Sequence, residues 1–397
     1  MSCGVKILKK RSELRSKKLK HLAGIGLILL LCPSFVFSQT VVIRGMLFGW
    51  LTANFSGKTE GQAGLRYLPE FSFETFLSDS SSLDAEFALS AQGSSLFGSG
   101  REMTSESEVD LYRLWLRYAS SRFELRAGLQ KINFGTATIF RPLMWFDRID
   151  PRDPLQITKG VYGLLSRYYF LNNANIWAWI LYGNTDAKGW EILGTRKESF
   201  EYGGRIQTPL FKGEIAFTYH HRQADLFNSP YFFIPEIDPI IPENRFALDG
   251  KWDIGIGLWF EGTLIHQDTD VLPFTHRHLL TVGLDYTFDV GNGLHILSEH
   301  FIQENANKAF GAGEGLDFSS LSINYPFGLL DNFSGMLYYD WKNKEYYRYI
   351  SWQRTYDKWR FYVIGFWNPE QLLIFPERAT HTLFAGKGFQ IMVVFNH

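Results

Sequence analysis

The most constraining feature of this sequence is an alternation of apolar and polar residues that recurs in segments of about ten residues along most of the chain. In one such segment, Leu114, Leu116 and Tyr118 alternate with Trp115 and Arg117. A period of two places the two sets of side chains on opposite faces of a β-strand. About 18 segments of this kind follow one another, and most of them have one apolar face. The pattern therefore indicates many strands that are apolar on one side.

Composition and connection lengths favour a barrel that spans a membrane. Aromatic residues make up 17% of the chain, yet no apolar run after Cys32 is long enough for a membrane-spanning helix. A closed sheet is the other structure that satisfies all backbone groups in lipid. The predicted connections alternate between short and long, with long loops at residues 93–109, 133–158 and 223–244 among others, which is typical of short periplasmic turns and long extracellular loops. A soluble β-sandwich, the competing interpretation, would be shorter or divided by a linker, and the sequence has no evident linker.

We therefore predict an all-β fold, a transmembrane antiparallel up-and-down β-barrel of about 16–18 strands. The N-terminus predicts export. A basic stretch precedes the apolar run at residues 22–32, and small residues follow, so residues 1–38 have the form of a signal peptide and residues 39–397 would form the barrel. A single membrane anchor is less favoured because the apolar run is short.

Removal of residues 1–38 would leave an acidic chain without cysteine. That segment holds both cysteines and eight of the 40 Lys and Arg residues, but only one of the 41 Asp and Glu residues. An acidic balance argues against a nucleic-acid partner. The absence of cysteine from the remainder excludes disulfides and thiolate metal sites there.

Residues 122–154 join a clear strand to a charged loop. The alternation up to Gln130 predicts a strand, and a two-residue turn at Ser120 and Ser121 would pair it with the preceding one. That turn would place Arg117 opposite Glu124, with Arg126 opposite the preceding tryptophan, on the inward face. The predicted lumen wall here consists of Arg113, Arg117, Glu124 and Arg126.

At this point the chain resembles the Gram-negative single-chain outer-membrane porins. The resemblance rests on RAGLQKINFG at residues 126–135, on DRIDPRDP at residues 147–154 and on alternating Phe389, Ile391, Val393 and Phe395 near the C-terminus, where Asn396 and His397 depart from the usual final Phe. It implies an outer-membrane location, engagement of the assembly machinery by the C-terminal strand, and a homotrimer as one assembly.

The resemblance also implies that loop 133–158, the third long loop, bends into the lumen and narrows it. The implied constriction residues are Arg141, Asp147, Arg148, Asp150, Arg152 and Asp153. The three aspartates among them are expected to face or flank Arg113 and Arg126 on the adjoining wall.

The sequence supports passage of small polar solutes through a charged lumen as the leading function. The alternative is a non-enzymatic barrel that binds or exports surface polysaccharide, using aromatic-rich loops such as the one at residues 229–244. An enzyme is less favoured because neither GxSxG nor HExxH occurs and the histidines lie in no nucleophile motif. His276 and His278 are too short a motif to indicate a metal site, and no cofactor is predicted.

Overall fold

A computed structural model describes residues 39–56, 60–98, 101–226, 240–370 and 384–397. The signal peptide predicted at residues 1–38 lies outside the described residues, so its presence stays a prediction.

Eighteen β-strands make up the described fold. Each pairs antiparallel with the next along the chain, and β1 also pairs with β18, which closes the sheet into a barrel. The strands are β1 Gln39–Asn54, β2 Glu60–Ser78, β3 Ser81–Gly98, β4 Arg101–Ser120, β5 Phe123–Gln130, β6 Val161–Tyr169, β7 Asn175–Tyr182, β8 Phe200–Leu210, β9 Gly213–Asp225, β10 Ile240–Asp253, β11 Gly257–Gln267, β12 His276–Phe288, β13 Leu294–Ala306, β14 Glu314–Pro326, β15 Asp331–Asp340, β16 Glu345–Thr355, β17 Trp359–Trp367 and β18 Lys387–Asn396. The predicted all-β antiparallel barrel is confirmed. Within the described ranges, no helix is long and apolar enough to cross a membrane.

The alternation in the sequence sorts side chains between the inside and the outside of the barrel. Along β9, Ala216, Thr218, His220 and Arg222 are buried, whereas Phe217 between them is half exposed on the outer surface. Successive side chains of a strand point to opposite faces, so this contrast distinguishes the lumen face from the lipid face. The inward side chains of β9 are therefore packed within the barrel, and its outward side chains are apolar.

The two rims of the barrel differ in loop length. One rim has short turns, such as residues 79–80, 121–122 and 211–212, while the other carries most of the long connections, such as residues 131–160 and 183–199. The long loop predicted at residues 93–109 is wrong, because β3 continues to Gly98 and β4 begins at Arg101. Its small and polar residues lack an apolar face, but their backbone groups still form a regular hairpin. The loop predicted at residues 223–244 is shorter for the same reason, since β10 begins at Ile240.

The hairpin between β4 and β5 keeps the predicted faces but not the predicted partners. The turn consists of Ser121 and Arg122, one residue later than expected, because Ser120 Oγ bonds the backbone of Phe123 across the turn. Moving a turn by one residue shifts the pairing by two, so Arg117 lies opposite Arg126. A shift of two leaves every side chain on its original face.

Candidate functional site

The loop between β5 and β6, residues 131–160, is called the inner loop below. Two inward-facing carboxylates of distant strands hold it. Glu299 on β13 accepts hydrogen bonds from the backbone N–H groups of Thr138, Ile139 and Phe140 at 2.7, 2.9 and 2.7 Å. Glu261 on β11 accepts bonds from Ala137 at 2.7 Å and Leu143 at 3.1 Å. Because a loop has few internal backbone bonds, these carboxylates supply the acceptors that its buried N–H groups need.

A glycine permits the close approach to Glu261. Gly135 has a φ of +100°, and a Cβ built on it would lie 2.2 Å from Glu261 Oε1. Only glycine adopts this backbone angle without steric cost and also leaves room for the carboxylate. The local geometry therefore explains why glycine stands at position 135, the last residue of the RAGLQKINFG segment.

The inner loop contacts the interior of the barrel on three sides. Phe140 is fully buried and stacks on Phe301 of β13 with ring centroids 5.2 Å apart. On another side, Phe134 stacks on Trp179 of β7 at 5.6 Å. On a third side, the Tyr349 hydroxyl of β16 donates a bond of 2.8 Å to the Arg152 carbonyl. Buried aromatic contacts of this kind contribute more than their area alone, so the loop is firmly packed.

Two ion pairs within the inner loop neutralise four of its eight charged residues. Arg141 and Asp147 form a buried ion pair at 3.1 Å. Arg152 binds Asp150 through Nε and an η nitrogen, with distances of 2.6–3.1 Å. Paired charges present little net field to a passing ion.

The remaining two charged residues of the predicted set differ from each other. Asp153 accepts the backbone N–H groups of Leu155 at 2.9 Å and Ile157 at 3.1 Å. Arg148 is the one residue of the set whose side chain is exposed to solvent. Four of the six predicted residues therefore form two ion pairs, Asp153 accepts backbone hydrogen bonds, and Arg148 has an exposed side chain.

The expectation that these aspartates face or flank Arg113 and Arg126 stays a prediction, and among the described residues no ion pair joins them to either arginine. Arg113 donates instead to the Thr158 carbonyl at 3.0 Å, and Arg126 donates to Glu124 at 3.0 Å. Local groups satisfy the loop aspartates instead: Asp147 and Asp150 pair with arginines of the loop, and Asp153 accepts backbone N–H groups.

Burial and hydrogen bonding act in opposite directions on the loop carboxyls. Desolvation raises the pKa of Asp147, and the Arg141 guanidinium opposes that rise. Desolvation also raises the pKa of Asp153, opposed by the N–H groups of Leu155 and Ile157. The Asp147 side chain is buried and that of Asp153 is partly buried.

The predicted wall residues all lie on β4 and β5, and Arg117, Glu124 and Arg126 among them belong to one network. Arg117 Nε binds Asp84 at 3.0 Å, and its bond to Glu124 is longer, at 3.9 Å. Glu124 lies closer to Arg126, at 3.0 Å, and Arg126 is also 4.7 Å from the ring centroid of Trp115. The contacts expected from the sequence occur, although diagonally rather than directly across the hairpin.

Two further charges on this wall have no ion-pair partner within 4.0 Å among the described residues. Arg66 on β2 donates to Ser90 Oγ at 2.9 Å and lies beside the Tyr112 ring. Glu86 on β3 is half-buried. Arg66 was not anticipated from the sequence, although its position between Leu65 and Tyr67 places it on the inward face. Unpaired charges are the ones that act on a solute.

A second long loop, residues 183–199 between β7 and β8, packs against the inner loop and was not anticipated as a lumen element. Gly189 N donates to the Asp147 carbonyl at 3.1 Å, and Trp190 Nε1 donates to the Arg141 carbonyl at 3.0 Å. The Trp190 ring also stacks on Phe301 at 4.6 Å. The length of residues 183–199 did not indicate that they lie inside the barrel, since other predicted loops are equally long. Its buried tryptophan was the available clue.

An ion network ties the second loop to the barrel wall. Glu191 of the loop binds Arg222 at 3.1 Å and Arg245 at 2.6 Å, and Glu243 binds both arginines. All four side chains are buried, with at most 6% of each exposed. Glu243 was predicted in an outer loop, but it lies on β10 and faces inward. In the part of the chain that the structure describes, no cluster of three or more His, Cys, Asp or Glu residues could hold a metal ion.

These features define a class of protein by fold: an 18-stranded antiparallel barrel with long loops packed inside it, which is the fold of the outer-membrane porins. The resemblance noted from the sequence is thus confirmed at the level of fold. The chain is similar to OccAB4 of Acinetobacter baumannii (TM-score 0.55, 10% identity, 91% of this chain and 99% of that chain covered). It is also similar to OccK7 of Pseudomonas aeruginosa (TM-score 0.53, 12% identity, 91% of this chain and 99% of that chain covered). A further similar structure is OccD3 of Pseudomonas aeruginosa (TM-score 0.53, 11% identity, 90% of this chain and 91% of that chain covered). No family model and no curated protein matches the sequence.

Proposed function

We propose that this chain is an outer-membrane porin that passes small polar solutes. The observation that carries the proposal is the combination of a closed barrel with unpaired charges on one interior wall. A barrel of this strand number encloses space wider than its own wall side chains need. Such charges favour polar solutes over apolar ones.

The solute path is proposed to follow the interior of β2 to β5. The opposite wall offers apolar side chains, including Leu297, Phe301 and Phe318, and the inner loop covers them. Arg66 and Glu86 lie on the charged side and form no ion pair within 4.0 Å among the described residues, although Arg66 bonds Ser90 and Glu86 bonds Trp115. Polar solutes avoid desolvation along the charged wall, so this side of the inner loop is the favoured route.

The inner loop is proposed to narrow the lumen mainly through its backbone and apolar bulk. Arg141, Asp147, Asp150 and Arg152 are paired with each other, so their constriction role would be steric. Arg148 is exposed and would be the loop cation that meets solutes.

Reversal potentials of the purified barrel in planar bilayers test this proposal. Glu86→Gln should shift preference toward anions, and Arg66→Gln should shift it toward cations. A unit charge about 4 Å from an ion contributes about 1 kcal/mol in water, so the permeability ratio should change about fivefold. Asp147→Asn, which removes a paired charge, serves as the comparison and should change the ratio less.

Absence of any conductance step in the wild-type barrel would reject the porin proposal. That result would favour the second candidate, a barrel that binds or exports surface polysaccharide without conducting. The apolar packing of the inner loop across the interior supports this candidate, because a fully packed lumen passes no ions. Equal shifts for Asp147→Asn and Glu86→Gln would retain a porin but remove the proposed path.

A further inference from the structure

An ionisable side chain, His300, lies at mid-strand on the outer surface of the barrel. Its chain neighbours Glu299 and Phe301 both contact the inner loop, so they point into the barrel. Successive side chains of a strand alternate between faces, which places His300 on the outer surface. His300 is the central residue of β13, a strand of 13 residues. Membrane barrels carry an apolar outer band about 25 Å tall, so His300 lies within that band rather than at its edge.

Polar residues beside His300 complete an outward patch, called the polar patch below, that consists of Ser298, His300, Asp317 and Ser319. His300 Nδ1 is 3.0 Å from Ser319 Oγ, and its Nε2 is 3.6 Å from Asp317 Oδ1. These contacts leave 40% of the His300 side chain and 45% of the Asp317 side chain exposed. The polar patch is therefore open on its outer side.

Lipid tails are a poor environment for the polar patch. Hydrocarbon offers no hydrogen-bond partner, so polar side chains that face it are costly and rare. Asp317 contacts one ring nitrogen, whereas a carboxylate has about four acceptor sites. The flanking outward positions are apolar, with Val282 directly opposite His300 on β12 and Leu321 next to Ser319 on β14. The polar patch therefore fits a protein surface better than it fits lipid.

The outer surface beside the polar patch is concave. A groove of about 460 Å³ extends from β10 to β13, and its lining includes Trp252, Phe260, Val282, Leu284, Ser298 and His300. Gly262 faces outward on β11, where an added Cβ would lie no closer than 3.8 Å to its neighbours. Small residues let two membrane-embedded surfaces approach closely, and such packing drives association where the hydrophobic effect is absent. The groove and the polar patch together have the character of a contact surface.

We propose that the outer face of β10 to β14 pairs with the same face of a second copy of this chain. A two-fold axis sets identical surfaces against each other, so such a surface must be self-complementary. The polar patch meets this condition because it contains one acid and one base. Rotation about the axis sets Asp317 of one copy toward the base of the other, and the reverse contact follows by symmetry. Neither copy then exposes the polar patch to lipid.

A ring of three copies would use this face differently. In a ring, each copy sets one face against a different face of its neighbour. The far side of the barrel presents apolar outward residues at mid-strand, such as Ala178 on β7 and Phe217 on β9. Those residues offer no partner to an acid or a base, so the structure favours a two-fold pair over the homotrimer that the sequence resemblance implies. The inference concerns assembly and does not depend on the passage of solutes.

The mass of the purified barrel in lipid nanodiscs, measured by light scattering, tests the pairing. Wild-type protein should have the mass of two chains. The double variant His300→Leu, Asp317→Leu makes the face apolar and removes a charge-assisted contact on both sides of the axis. One such contact corresponds to about tenfold in affinity, so the dissociation constant should rise about a hundredfold. Ser166→Leu, which removes an outward hydroxyl on β6, is the matched control and should leave the pair intact.

Cross-linking in intact cells locates the contact without altering the polar patch. Both cysteines of the chain precede β1, so a cysteine placed in the barrel is the reactive thiol there. A membrane-permeable bismaleimide should join chains that carry Leu321→Cys on β14. Chains that carry Ala178→Cys on β7 should stay single, although that position is also outward and exposed.

Each alternative result overturns part of the assignment. Single chains in the nanodiscs, with no cross-link at residue 321, would overturn the second copy as the partner and leave lipid on this face. A mass of three chains would overturn the two-fold pair. A folded double variant that keeps the wild-type mass and affinity would overturn the role of the polar patch. Heat-modifiable migration in gel electrophoresis checks folding, and the cross-linking result decides the location if the double variant does not fold.

Discussion

Replacement of Glu299 by leucine should release part of the inner loop from the barrel wall. The Glu299 carboxylate accepts three backbone N–H groups of the loop and, at 2.9 Å, Trp259 Nε1. Leucine has a similar volume but no acceptor, so Glu299→Leu removes the partner of all four donors, of which those of Ile139, Phe140 and Trp259 are buried. Each such donor costs at least about 1 kcal/mol.

The three loop donors together therefore account for about 3 kcal/mol, which corresponds to a change of about a hundredfold in the equilibrium between attached and detached loop. Glu261 and the stacked Phe140 would still hold neighbouring parts of the loop. We therefore expect a locally mobile segment around residues 138–140 rather than an unfolded barrel.

Single-channel recording in planar bilayers measures this effect. The mean conductance of Glu299→Leu should rise and its open-channel noise should increase, because a detached segment no longer occupies a fixed part of the lumen. Glu314→Leu is the matched control, since this glutamate is exposed at the start of β14. Glu299→Gln, which keeps one acceptor oxygen, should fall between the two. A folded Glu299→Leu barrel with wild-type conductance and noise would refute the anchoring role.

Three further outcomes are expected. Trp190→Ala removes packing between the two loops, so the buried position of Met144 should become accessible. A single cysteine placed at residue 144 should then react with a maleimide. In the control Trp341→Ala, which changes an exposed residue, the same cysteine should stay protected. Gly135→Ala should destabilise the fold by about 1–3 kcal/mol in urea unfolding, because of the positive φ and the contact with a carboxylate; an unchanged midpoint would contradict this. Asp249→Ala leaves the buried guanidinium of Arg205, which binds Asp249 at 2.6 and 2.8 Å, without its carboxylate partner. The free energy of unfolding should fall by about 3–5 kcal/mol in the same measurement.

The sequence determined the barrel through a local physical rule. A strand between lipid and lumen needs apolar residues at every second position, and that requirement can be read from each segment without knowledge of its partners. The inward positions of Arg113, Arg117 and Glu124 follow from the same rule, because a pairing shift of two residues preserves faces. The charged loop after β5 was also evident, since alternation stops at that point.

Only the tertiary structure decided what the loop charges do and what holds the loop. Glu261 and Glu299 are separated from the inner loop by more than a hundred residues, and nothing in their strands distinguishes them from other inward glutamates. The pairing of Arg141 with Asp147 depends on how the loop folds back on itself. The contribution of residues 183–199 depends on contact between two loops that are far apart in sequence. Such contacts are selected by shape and by the need to satisfy buried polar groups together, and no periodicity in the chain records them.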